Sequence, residues 1–319
     1  MRLQTNHPSA QERGSMNYEE SLMIKTSWYY YFENMTQQQI ADVLGITRLR
    51  VIKLLDKARE TGIIQFKLRQ DGVERIALEK TLMERYGLKD VFVVPAMPGR
   101  TDVNENIAKA AAMYVRDRLS ENSFINIGYG DTPSRVLNNL ATMAQDPISC
   151  VSLTGGVNYY LPDTRSNVFN AKLYLMPAPL LASSKEMAEA MRQEASVLEI
   201  TRMVRLASVS VIGIGPMHES ATIIKSGILS KNDFLYLSMK GAVGDVLSHF
   251  IDKNGDLLES PVEDRLISTP LVTLRELKNV IGVAAGENKI EAIRATLRGK
   301  YLDVLITDEP TAASLAEDA

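Results

Sequence analysis

Cysteine is almost missing from this chain: among 319 residues there is only Cys150, set in the apolar run Ile148–Leu153. One thiol excludes a disulfide framework and a thiolate zinc site, and it fits a reducing compartment. Cys150 itself reads as a buried strand residue. Long apolar runs are lacking as well, since nothing approaches the ~20 residues that a membrane-spanning helix needs. The polar residues 1–17 contain no apolar segment of the kind that directs secretion; they read as a disordered lead-in, with Met16 as an alternative start. A cytoplasmic protein without membrane contact is expected. Nor does one sign of charge dominate, because 36 basic and 39 acidic residues leave a formal net charge of −3. With 45% hydrophobic and 24% charged residues, the composition is that of an ordinary globular chain with a sizeable core. The length predicts two domains, one small and one large.

The balanced total hides an asymmetry. From Thr36 to Arg69 seven basic residues stand against three acidic ones, so this stretch carries +4 and the remainder −7. A basic head on an acidic body is what a chain meeting phosphate at one end requires. The same stretch reads as two short helices joined by a glycine turn. Thr36 and Gln39 form a capping box, Ala41 allows close helix crossing, and Gly45 supplies a positive φ. Thr47 can cap the second helix. Val51, Leu54, Leu55 and Ala58 make one apolar stripe, while Arg48, Arg50, Lys53 and Lys57 lie elsewhere on the surface. An apolar back with long donors in front describes a recognition helix for double-stranded DNA. The plainer alternative is an amphipathic hairpin with a solvated basic face. The candidate DNA-binding residues are Gln37, Thr47, Arg48, Leu49, Arg50, Lys53, Lys57 and Arg59, with Arg48 and Arg50 reaching base edges and Lys53, Lys57 and Arg59 touching phosphate.

Upstream, residues 18–35 form the first helix. Of its aromatics, Trp28 and Tyr31 are spaced for the core, and Tyr29 and Tyr30 suit a subunit contact. Gly62–Arg69 alternates and predicts a small β wing, closing a winged helix-turn-helix domain over 18–70. Beyond it, over 71–319, short apolar runs alternate with helical stretches. Strands are expected at Val91–Val94, Phe124–Ile127, Ile148–Leu153, Leu173–Met176, Val209–Ile214, Val280–Ala284 and Val304–Ile306, and helices near 104–119, 132–144, 185–206 and 288–299. This pattern predicts an α/β doubly wound parallel sheet. Asn254-Gly255 marks a hairpin turn. The nearby Asp252, Asn254 and Asp256 have the wrong spacing for a calcium loop, so no metal site is expected there.

Ligands of doubly wound sheets bind beyond the carboxyl ends of the strands. Three glycine loops fall at such ends: Gly128-Tyr-Gly130-Asp131-Thr132, Thr154-Gly155-Gly156 and Gly286-Glu-Asn288-Lys289. Their backbone amides, helix dipoles and the Lys289 charge favour an anion. A fourth stretch, Lys240-Gly-Ala-Val-Gly244-Asp245, offers a carboxylate to sugar hydroxyls, unless Asp245 caps a helix over 246–251. The candidate effector residues are therefore Gly128, Gly130, Asp131, Thr132, Thr154, Gly155, Gly156, Asp245 and Lys289.

Over residues 20–316 the chain resembles the SorC/DeoR-type sugar-responsive transcriptional regulators, in particular the branch of autoinducer-uptake operon repressors. The resemblance rests on Met35-Thr-Gln-Gln-Gln-Ile-Ala through Gly62-Ile-Ile, Leu153-Thr-Gly-Gly-Val157, Pro177-Ala-Pro179, Val211-Ile-Gly-Ile-Gly215, Lys240 to Asp245, Gly286-Glu-Asn-Lys289 and Val304-Leu-Ile-Thr-Asp308. It implies a winged head and an effector domain resembling phosphosugar isomerases that acts as a sensor, not an enzyme. It also implies a dimer or tetramer of identical chains, released from operator DNA by a sugar, polyol or sugar phosphate, with no cofactor. Tyr129 and Pro133 depart from the family pattern. Two rival readings are an active sugar-phosphate isomerase and an NADH-sensing repressor. The first needs a general base, for which Asp131 or Glu287 would have to serve, since His7, His218 and His249 lie outside the glycine loops. The second lacks its fingerprint, because the third glycine is replaced by Pro133 at one site and His218 at the other.

Overall fold

A computed structural model describes residues 18–65, 70–96, 102–119, 123–144, 146–156, 170–219 and 221–317. By its internal contacts the chain divides after Arg69 into two compact units. The lead-in expected over 1–17 lies outside the described residues.

The first unit is helical: α1 (Tyr18–Tyr31), α2 (Gln37–Leu44) and α3 (Arg48–Glu60). The capping box forms as the sequence requires. Thr36 Oγ1 accepts from the Gln39 amide at 3.3 Å, and the Thr36 amide donates to Gln39 Oε1 at 2.8 Å. Gly45 ends α2 at φ 66°, ψ 32°, in the left-handed region that costs glycine no steric penalty. Thr47 Oγ1 accepts from the Arg50 amide at 3.2 Å and starts α3. The apolar stripe Val51, Leu54, Leu55 and Ala58 is buried with Ile40 and Ala41. One aromatic reading needs correction. Trp28 is half exposed and stacks on exposed Phe32 with ring centroids 4.6 Å apart, while Tyr29, Tyr30 and Tyr31 pack against the α2–α3 core. Tyr30 continues the buried face of Leu22, Met23, Thr26 and Ser27 and Tyr29 and Tyr31 flank it, partly buried, whereas Trp28 and Phe32, four residues apart, share the outer face. The β wing expected over Gly62–Arg69 falls partly outside the described residues; 62–65 form a turn, with Ile63 and Ile64 packed on the helices.

The second unit begins with α4 (Gln70–Tyr86) and is built on a seven-stranded sheet. Its strands are β1 (Asp90–Val94), β2 (Phe124–Ile127), β3 (Ile148–Ser152), β4 (Ala171–Tyr174), β5 (Val209–Ile212), β9 (Val280–Val283) and β10 (Val304–Asp308). They are all parallel, in the order β1-β10-β9-β5-β2-β3-β4. From β2 the chain runs outward through β3 to β4, returns to the other flank of β2 as β5, and continues outward through β9 and β10. The topology therefore switches between β2 and β5. Parallel strands are buried on both faces, and alternate residues enter two cores. One face packs Ile125, Ile127, Val209, Val211, Ile281 and Ile306 against α5 (Val103–Arg116) and α6 (Asp131–Met143). The other packs Val91, Val93, Val151, Ile212, Val280 and Leu305 against α4 and the helices α7 (Lys185–Gln193), α8 (Ala195–Val204), α12 (Leu271–Glu276), α13 (Ile290–Arg298) and α14 (Glu309–Glu317). Cys150 is buried in β3 as read, and burial pushes its thiol up to about 12.

A second sheet interrupts the winding. Strands β6 (Ile214–Pro216), β7 (Gly244–Val246) and β8 (His249–Ile251) pair antiparallel. Two short helices, α9 (Thr222–Lys225) and α10 (Lys231–Met239), link β6 to β7, and α11 (Pro261–Arg265) follows β8. Leu180, Ile223, Leu229, Leu237, Phe250 and Val262 give this cap a core of its own. The stretch 246–251 is thus a hairpin and not a helix capped by Asp245; its turn residues Leu247 and Ser248 both have positive φ, 52° and 67°, as a two-residue hairpin turn demands. At Asn254-Gly255 the chain makes a tight turn in which Asp252 Oδ1 accepts from the amides of Asn254 and Asp256.

Candidate functional site

A cavity of about 700 Å³ opens at the switch point, beyond the carboxyl ends of β2, β5 and β9. The loop after β2 contributes Tyr129 to Pro133, the segment after β5 contributes Gly213 to Pro216, and Ala285, Asn288 and Lys289 arrive after β9. The cap adds Asp245 and Leu247 from one hairpin and Ala221 to Ile223, Lys225 and Ser226 from around α9. Of the sequence-predicted effector residues, Gly130, Asp131, Thr132, Asp245 and Lys289 meet on this one wall.

Gly128 and the loop Thr154–Gly156 do not line it. β3 lies one strand beyond the switch point, and its following loop bonds to the segments at Ala178 and Ile267. The Gly155 amide donates to Ile267 O and the Gly156 amide to Ala178 O, both at 2.9 Å, while Thr154 Oγ1 donates to Gly155 O. Those donors are spent on backbone. Sequence reasoning missed the other half of the wall: Asn104, Arg135, Thr222, Lys225 and Ser226. Arg135 carries a signal, one turn after Asp131 on the same helix; Lys225 carries none.

The cavity's charges are mostly answered from within. Arg135 holds Asp131 through Nε at 3.0 Å, and its Nη1 reaches Asp102 at 2.8 Å and Glu105 at 3.2 Å. Asn104 Nδ2 donates to Asp131 Oδ2 at 2.9 Å. Asp245 lies against Gly215 across the β6–β7 pairing, where a Cβ would come within 1.8 Å of its Oδ1; only glycine leaves room for that carboxylate. Burial pushes the Asp245 carboxyl up to about 6, against the pull of the Ser248 amide, His249 and Lys289. Burial likewise draws the Lys289 ammonium down, against Asp131 and Asp245. His249, beneath them, presents Nδ1 to the Glu263 carboxylate at 2.9 Å and Nε2 to Thr269 O at 3.0 Å, fixing the floor of the hairpin.

On the helical unit, Thr47, Arg48, Leu49, Arg50, Lys53, Lys57 and Arg59 are exposed and Gln37 is half-buried. Arg48 Nε donates to Gln37 Oε1 at 3.4 Å, so the starts of α2 and α3 share one polar surface. Arg50 and Lys57 lean instead toward Glu19 of α1, at 3.4 and 2.7 Å, and Arg59 pairs with Asp56. Lys53 has no carboxylate at ion-pair distance among the described residues.

A helix-turn-helix unit followed by a parallel sheet with a polar cavity at its switch point defines a ligand-responsive transcriptional regulator. The family model described as "Putative sugar-binding domain" matches residues 71–317. The chain is 33% identical over 301 residues to the transcriptional regulator LsrR of Klebsiella pneumoniae, covering 93% of each protein, and 33% identical to LsrR of Escherichia coli K12, covering 93% of this chain and 95% of the relative. Among solved structures, the full-length sorbitol operon regulator SorC of Klebsiella pneumoniae aligns with a TM-score of 0.67 at 27% identity, over 93% of this chain and 98% of that one. The sugar-binding domain of a transcriptional repressor from Vibrio fischeri shares the fold, with a TM-score of 0.68 at 24% identity over 76% of this chain and 100% of that one. The chain belongs to the SorC family of sugar-binding transcriptional regulators.

Proposed function

We propose that this regulator represses a carbohydrate-utilisation operon and leaves its operator when a sugar, polyol or sugar phosphate fills the cavity at the switch point. The observation that carries the reading is the convergence of Gly130, Asp131, Thr132, Asp245 and Lys289 on one wall of that cavity, in a chain whose first unit is a helix-turn-helix. Hydroxyls of the ligand donate to Asp245, and the α6 N-terminus offers amides. Binding must favour the form that does not hold DNA, because a ligand with equal affinity for both forms shifts nothing. Arg48, on the shared face with Gln37, reads base edges; Lys53 meets phosphate. Thr47, Leu49, Arg50, Lys57 and Arg59 border the same surface. The working unit is an oligomer of identical chains, a dimer or a tetramer.

Sensing rather than turnover is supported by the relatives, which are transcriptional regulators, and by the two carboxylates that the isomerase reading named as bases. Asp131 is held by Arg135 and Asn104, and Glu287 does not line the cavity. A thermal-shift panel of sugars, polyols and their phosphates, followed by operator-binding assays with each hit, tests the reading. A hit that weakens operator binding is the expected result. Binding to DNA that no member of the panel alters, or conversion of a sugar phosphate on incubation, would overturn it.

A further inference from the structure

Among the described residues, five charged side chains line the cavity: Asp131, Arg135, Lys225, Asp245 and Lys289. Two of them, Asp131 and Arg135, are paired with each other, and Asp245 and Lys289 are drawn in among the cavity's other charges. Arg135 is shared among Asp131, Asp102 and Glu105, and Lys289 stands in the fields of Asp131 and Asp245. Lys225 is different. It is exposed on α9, on the cap side of the cavity, and among the described residues no carboxylate stands at ion-pair distance from it. An exposed ammonium of this kind exchanges only water for an incoming anion, whereas an anion approaching the buried Lys289 would also meet the charges of Asp131 and Asp245, which line the same cavity.

Lys225 is also held in place. Its neighbour Ser226 caps α9, and Ser226 Oγ lies 3.2 Å from Tyr129 Oη. The Tyr129 ring packs against both the α5–α6 core and the core of the cap, so it pins the cap's α9 wall to the sheet. We infer that Lys225, steadied by the Tyr129–Ser226 clasp, receives the anionic group of the effector, which leaves the hydroxyl-bearing end for Asp245 and Lys289. The inference rests on the effector reading above and sharpens it. The preferred ligand is a phosphorylated sugar or polyol lying across the cavity with its phosphate toward the cap. Tyr129 is then a positioning residue for phosphate recognition.

The test uses the full chain and matched pairs: ribose and ribose 5-phosphate, glucose and glucose 6-phosphate, sorbitol and sorbitol 6-phosphate, with inorganic phosphate alone. For any phosphorylated compound that binds, Lys225→Met is expected to weaken it roughly tenfold or more, the loss typical of a hydrogen bond to a charged group, and to leave the parent sugar unchanged. Lys289→Met is expected to weaken both members of a pair alike. Tyr129→Phe keeps the ring and removes the clasp, so it should lower the preference for phosphate over parent by a smaller factor, a ratio that general loosening would not move. Phosphate binding indifferent to Lys225, or discrimination that follows Lys289, overturns the assignment while leaving the effector reading intact. No binding by any compound overturns both.

Discussion

Replacing Asp245 with asparagine separates what this side chain costs the fold from what it does for the ligand. Asparagine keeps an oxygen to accept from the Ser248 amide and removes the charge held against Gly215. The folded carboxyl titrates at about 6, against an ordinary value of 3.8. At ~1.4 kcal/mol per pH unit this is about 3 kcal/mol of disfavoured ionisation at neutral pH. The uncovered Lys289 ammonium takes back part of it, so Asp245→Asn is expected to stabilise the ligand-free second unit by roughly 1–3 kcal/mol. At about 2–4 °C per kcal/mol for a body of this size, the melting temperature should rise by several degrees. The pH dependence has a definite sign. Below about pH 4 both states carry a neutral carboxyl and wild type loses nothing. Between about pH 4 and 6 the unfolded chain ionises first, so wild-type stability falls as pH rises, and above that the deficit is complete. Urea melts from pH 4 to 8 should therefore show two curves that meet in acid and part at neutrality, while the variant loses sugar binding throughout. A variant no more stable than wild type at pH 7.5, or one with the same advantage at pH 4, would refute the account of Asp245 as a strained acceptor kept for its ligand.

Other outcomes follow from the helical unit and from β3. Thr47→Ala removes the cap of α3 and should cost about 1 kcal/mol, seen as a lower first transition in a melt that leaves the sheet unit unchanged. Arg48→Ala should lose ~1–3 kcal/mol of operator affinity confined to particular base pairs, whereas Lys53→Ala should weaken all sequences alike and flatten the salt dependence by about one phosphate contact; the reverse pattern, checked by binding to an operator and its single-base variants at several salt concentrations, would exchange their roles. Cys150 should resist a thiol reagent in the native protein at pH 8 and react at once in denaturant, because burial keeps it a thiol.

What could be read in the sequence was whatever a local pattern dictates. Parallel strands buried on both faces are continuous apolar runs, so all seven strands of the large sheet stood out, as did the caps at Thr36 and Thr47 and the glycine at 45. The small sheet did not. Its strands are three residues long, and Ile214 reads on from Val209–Ile212 with only Gly213 between. Of the glycine loops, Gly130 reaches the cavity and Thr154–Gly156 does not line it, since the same residue that bares an amide to an anion also lets one backbone lie against another. Gly155 does the latter, packed on the carbonyls of Ala178 and Pro179. Lys225 sits on a four-residue helix whose place over the cavity depends on contacts far along the chain, and no spacing rule reaches that distance.

The exposed stack of Trp28 on Phe32 has a practical corollary. This indole is the only one in the chain, and its half-open setting makes its emission responsive to whatever comes to rest on the outer side of α1. Light absorbed selectively by tryptophan therefore reports from the helical unit alone, while the cavity proposed for the metabolite has, among the described residues, only Tyr129 as an aromatic wall. A spectral change on adding sugar to the unlabelled protein would be a message received in the other unit.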